Sequence, residues 1–169
     1  LFGRLFFLAK EDMSSGTGQA LKYRPIYTED IKVSPAEIAD MDKAVALWER
    51  GVAAIEATRG GVEPPYAAEF EKEADLAAYM LTIVRAVAAG NHFFTARREY
   101  LDITKKPALS DSERARAAAL LREMQAIADH DLENARRALV IARRDPRLDL
   151  SVRLDLDYAP LTEMIEARI

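Results

Sequence analysis

Residues 64–103 read PPYAAEFEKEADLAAYMLTIVRAVAAGNHFFTARREYLDI, and this stretch decides the fold. Leu76, Met80, Ile83, Val87, Gly90, Phe94 and Leu101 recur in alternating steps of four and three, interrupted only where Arg97 holds a slot. That period keeps one face of a helix turned toward a partner. Pro64 and Pro65 suit the start of such a helix, where a missing N–H costs nothing. Thr104 to Pro107 suit its end, because the residue before a proline avoids the α region. Gly90 sits mid-helix, where glycine costs about 1 kcal/mol relative to alanine. The sequence therefore predicts close packing against Gly90 in preference to a kink.

Working outward, Ser34, Pro35 and Glu37 form the start signal of a preceding helix, with the glutamate three residues after the serine as in a capping box. Ile38, Met41, Val45, Trp48, Val52 and Ile55 give it an apolar stripe, and Gly60-Gly61 is expected to end it with a left-handed cap. Trp48 is expected as a core anchor rather than a sugar-stacking platform. On the other side, Ser110 and Glu113 repeat the capping-box pattern. They open a third helix whose predicted inner face is Leu121, Met124, Ala128, Leu132, Ala135, Leu139 and Ala142, ending before Asp145-Pro146. Short connections require the three helices to run up, down and up. The expected fold class is mainly α: an antiparallel three-helix bundle over residues 34–145, with extended N-terminal and C-terminal arms.

Residues 1–33 are read as an extended arm or the remnant of a preceding domain, with an apolar start at Leu1, Phe2, Leu5, Phe6, Phe7 and Leu8. Ser14-Ser15-Gly16-Thr17-Gly18 is a loop by composition, and it lacks the lysine and following hydroxyl of a phosphate loop. Residues 146–169 belong to the same domain as the bundle. From Leu148 to Tyr158 apolar residues alternate with polar ones, the pattern of an extended segment with one buried face. That segment either pairs with the N-terminal arm or straps the bundle. Pro160 then precedes a short final helix, Leu161 to Arg168.

A chain of 169 residues holds one domain with a core. A net charge of −4 supplies no general attraction to nucleic acid. The absence of cysteine excludes a disulfide framework and thiolate zinc sites and leaves the compartment unassigned, the cytoplasm slightly preferred. No apolar run approaches the roughly 18–20 residues that cross a bilayer, so neither nucleic acid nor membrane is expected as a partner.

The search for chemistry gives no catalytic, cofactor-binding or metal residues. Di-metal bundles place a glutamate three residues before each histidine, whereas Ala89 precedes His92 and Ile127 precedes His130 at that spacing. Glu69, Glu71, Glu73 and Asp75 suit the positive end of a helix dipole, and Arg136, Arg137, Arg143, Arg144 and Arg147 suit the negative end of the third helix. A second basic group, Arg97, Arg98, Lys105 and Lys106, falls at the opposite pole of an antiparallel bundle, so the two do not merge into one groove.

One resemblance goes further. The segment from His130, through Arg143-Arg144-Asp145-Pro146-Arg147-Leu148-Asp149 and Tyr158 to Ile165-Glu166-Ala167-Arg168-Ile169, resembles the C-terminal helical region of large bacterial glycoside-hydrolase-like proteins related to the α-glucuronidases. Phe2-Gly3-Arg4-Leu5 is similar to the segment where the catalytic barrel of that group meets its helical region. Asp149 stands where the family has a glycine. The resemblance implies a non-catalytic accessory domain of a larger carbohydrate-active enzyme, with its catalytic carboxylates on an upstream barrel. The implied partner is a preceding catalytic domain or a second copy. The competing expectation, from the residues alone, is a stand-alone helical protein–protein interaction module.

Overall fold

A computed structural model describes residues 33–148 and Glu166. Three helices fill it: α1 (Pro35–Thr58), α2 (Ala67–Thr104) and α3 (Asp111–Arg144). No strand occurs among the described residues, and the chain is mainly α as expected. The N-terminal arm, the alternating segment beyond Leu148 and the final helix, apart from Glu166, lie outside the described residues. Leu148 itself closes a 3-10 turn, Pro146–Leu148, rather than starting an extended run.

The helix starts follow the sequence closely. Ser34 Oγ accepts from the Glu37 N–H at 3.2 Å, while the Glu37 carboxylate accepts from the Ser34 N–H at 2.7 Å. Ser110 and Glu113 repeat this reciprocal box at α3. Pro64–Tyr66 form a 3-10 turn that leads into α2. The end of α1 differs from expectation. Arg59 stays in the right-handed region and Arg59–Gly61 tighten into a 3-10 turn, so no left-handed glycine cap forms.

Ion pairs fix the antiparallel order. Asp42 meets His92 and Glu49 meets Arg85 across α1 and α2, whereas Asp75 meets Arg144 and Glu99 meets Arg116 across α2 and α3. Both α1 and α3 pack on α2, and they make no comparable contact with each other. The bundle is thus an open layer with α2 in the middle.

This arrangement corrects the expected seams. In α2 the stripe Tyr79, Thr82, Ala86, Phe93, Ala96, Tyr100 and Ile103 turns toward α3, and Ala74, Leu81, Val84 and Ala88 form a second buried stripe. The predicted stripe is a third one: Val87 is buried within it, but Leu76 is exposed. In α3 the buried seam is Ala117, Leu120, Met124, Asn134, Ala138 and Ile141, with Ala135 and Ala142 beside it. Leu121 and Ala128, predicted inside, are exposed. Trp48 is 37% exposed rather than a core anchor, and α1 buries no residue. The cause is shared. Among the described residues, eight of the fifteen buried apolar ones are alanines, so the helices approach closely through small side chains and larger residues mark other faces. Both core clusters lie between α2 and α3: Tyr79 with Ala135, Ala138, Ile141 and Ala142, and Ala96 with Leu120 and Met124.

Candidate functional site

A layer of three helices has two sides, and the sequence gives them opposite character. A step of two residues turns a helix by about 200°, nearly to the opposite face. Glu49, Arg85, His92, Glu123 and His130 each have an apolar or small residue two positions away: Leu47, Val87, Gly90 and Phe94, Leu121, and Ala128 respectively. His92, Glu123 and His130 of the first set line one cavity, and Gly90, Phe94 and Ala128 of the second line another.

On the polar side Glu49 Oε1 accepts from Arg85 at 2.7 Å and Asp42 Oδ1 lies 2.9 Å from His92 Nε2. Arg116 donates to both oxygens of Glu99, at 2.7 and 2.6 Å. The hydrogen bond from Arg116 holds the Glu99 carboxyl below the usual range, and the same bond raises Arg116. Between these pairs, His92, Glu123 and His130 line a shallow cavity of about 350 Å3 floored by Ala89, Ala126 and Ile127. The structure therefore brings together two histidines that sequence spacing keeps apart. No group of three acidic, histidine or cysteine side chains with metal-holding geometry occurs among the described residues.

On the apolar side, Gly90 lies with Ala86, Phe93, Phe94, Ile127, Ala128 and Asp131 around a cavity of about 260 Å3. The helix runs unbroken through Gly90. Phe93 and Phe94 meet edge to face, with ring centroids 5.9 Å apart, a favourable quadrupole geometry. Large apolar side chains also stand exposed on each of the three helices: Leu47 is 59% exposed, Leu76 37% and Leu121 49%. Leu121, Ala128, Ala135 and Ala142 repeat every seven residues, but only Leu121 and Ala128 are exposed, whereas Ala135 and Ala142 are buried against Tyr79 of α2.

Most of the other charged groups singled out in the sequence pair locally. Glu69 pairs with Lys72, Glu71 with Arg59, Glu73 with Arg147 and Asp75 with Arg144. Arg136 pairs with Glu133 and Arg143 with Glu166. Arg147 donates to the Lys72 carbonyl at 2.9 Å and to buried Asp145 at 2.7 Å, tying the end of α3 to the start of α2. That hydrogen bond lowers Asp145 and raises Arg147. The acidic and basic clusters thus become one clamp rather than an anion or cation site.

No helix is long and apolar enough to cross a membrane among the described residues. No family model, curated protein or solved structure matches the chain.

Proposed function

We propose that this chain is a non-catalytic helical packing module, which works by laying the apolar side of its three-helix layer on a partner surface. The observation that carries this reading is that large apolar side chains, Leu47, Leu76 and Leu121, stand exposed on all three helices. Exposed apolar surface of this kind, where it is contiguous, marks an interaction surface. In the first form of the proposal the chain is an accessory domain of a larger carbohydrate-active enzyme, supporting packing on the catalytic domain or dimerisation. The resemblance of residues 130–169 to glycoside-hydrolase-like helical regions supports that form. In the second form it is a stand-alone interaction module, and the paired charges of the polar side, with no catalytic constellation among them, support both forms equally.

Two experiments test the proposal. Blotting the source cell with an antibody against residues 110–169 separates the forms: a band several times larger than 18.9 kDa fits the accessory domain, and one at that size rejects it. The surface is tested with Leu47→Glu combined with Leu121→Glu, followed by sedimentation velocity and binding of a dye that fluoresces on apolar surfaces. The proposal expects both self-association and dye binding to fall, and a chain that stays monomeric and dye-negative before and after the change rejects it.

A further inference from the structure

The edge of the layer formed by α1 has a different energetic character from the rest. Neither core cluster includes an α1 residue, and α1 buries none of its 24 residues. Its apolar stripe, Ile38, Met41, Val45, Val52 and Ile55, is only half-buried, yet it is too apolar to stand free in water. The side-chain hydrogen bonds that carry α1 on α2 are exposed: Asp42 with His92 and Glu49 with Arg85. Exposed pairs of this kind contribute little to stability, so they set register more than strength.

That register is regular. Asp42, Glu49 and Glu56 repeat every seven residues on α1, and Arg85 and His92 are seven apart on α2. An acidic stripe faces Arg85 and His92 in antiparallel order, as flanking polar residues do in coiled coils. A further tie among the described residues is at the connection itself. Arg59 bridges Glu56 and Glu71 and lies over the Phe70 ring, 5.5 Å from its centroid. The connection has open space at Gly60 and Gly61, and Pro64-Pro65 follow, a sequence compatible with a straighter path.

From these observations we infer that α1 exchanges between two copies of the chain: the α1 of each packs on the α2 of the other, in the register that Asp42–His92 and Glu49–Arg85 define. The occupant of the vacated α2 face, marked by Arg85 and His92, is then an identical helix carrying the same acidic repeat, so the α1–α2 contacts outside the connection are recovered. Exchange of an identical element is a low-cost route to a dimer. Arg59 acts as the latch that favours the closed chain. This surface is separate from the apolar side of the layer and stands whether or not that side has a partner.

Charge reversal tests the inference. One variant carries Asp42→Lys and Glu49→Arg, the other Arg85→Glu and His92→Glu. Each alone sets like charges against each other in both the closed and the exchanged form. Mixed, they restore attraction at both interfaces only if α1 is exchanged. Sedimentation equilibrium and native mass spectrometry are expected to show heterodimers in the mixture, with a dissociation constant about tenfold below that of either variant alone. A mixture that behaves as the sum of its parts overturns the inference. If circular dichroism shows either variant unfolded, deletion of residues 59–66 decides instead. Joining α1 directly to α2 as one continuous helix forbids the closed hairpin, so an obligate dimer is expected, and a monomer overturns the inference.

Discussion

Asn134 of α3 donates its side-chain amide to the main-chain carbonyl of Thr82 at 2.7 Å, inside a seam otherwise built from alanine and aliphatic side chains. Thr82 in turn donates its hydroxyl to the Tyr79 carbonyl at 2.6 Å. A single polar residue at a seam position forms its bond in one register only, so it specifies how two smooth, alanine-rich helices align. The specification has a cost, since Asn134 Oδ1 is buried with no hydrogen-bond partner.

Replacing Asn134 by alanine removes that bond and leaves a small void. The expected loss is about 1–2 kcal/mol of unfolding free energy. Urea denaturation reads it as a lower midpoint with an unchanged slope. A change in slope instead would show that the residue acts through the compactness of one of the states.

Glu113 gives a pH signature. Hydrogen bonds from Lys106 and from the Ser110 backbone and side chain lower its carboxyl from 4.5 to about 2. Because the folded value is depressed, the stabilisation of the α3 start is fully present above pH 4.5 and is lost as pH falls toward about 2. A carboxyl titration by NMR should place Glu113 near the lower value in the native chain. Lys106→Ala combined with Ser110→Ala should return the midpoint toward 4.5, and no movement would remove the capping box as the cause.

Helix α1 should open far more often than its neighbours. Few buried contacts mean low local stability, and native-state hydrogen exchange reports this directly. Amides of Val45 to Ile55 are expected to exchange well ahead of those of Tyr79 to Val87, even though the capping box at Ser34 keeps the isolated helix well started. Equal protection would mean that α1 is part of the cooperative core.

The helix boundaries were legible because their signals are local. Ser34 with Glu37, Ser110 with Glu113 and the Pro64-Pro65 pair each act within a few residues, and the structure places helix ends within three residues of each. The packing faces were not legible in the same way. Hydrophobic periodicity weighs large side chains, so it selected Leu76, Trp48 and Leu121, whereas the contacts run through Ala74, Ala86, Ala88, Ala117 and Ala138. In α2, which has neighbours on two sides, three stripes compete and the most apolar of them is not the one turned toward α3. The pairing of His92 and His130 around one cavity was hidden for another reason: it depends on the α2–α3 register, which Asn134 and the ion pairs set, and no spacing within either helix encodes it.

Leu120 and Leu121 offer the most direct test of the layer, because neighbours in sequence should sit in opposite environments. Leu120 is 0% exposed against Ala96 and Met124, while Leu121 is 49% exposed on the apolar side. The decisive measurement is the paramagnetic relaxation of leucine methyl groups by a soluble probe, on a dilute sample of the chain. The account predicts strong relaxation at Leu121, with Leu47 and Leu76 affected alongside it, and none at Leu120. Protection of Leu121 equal to that of Leu120 would contradict the amphipathic layer and the packing function built on it.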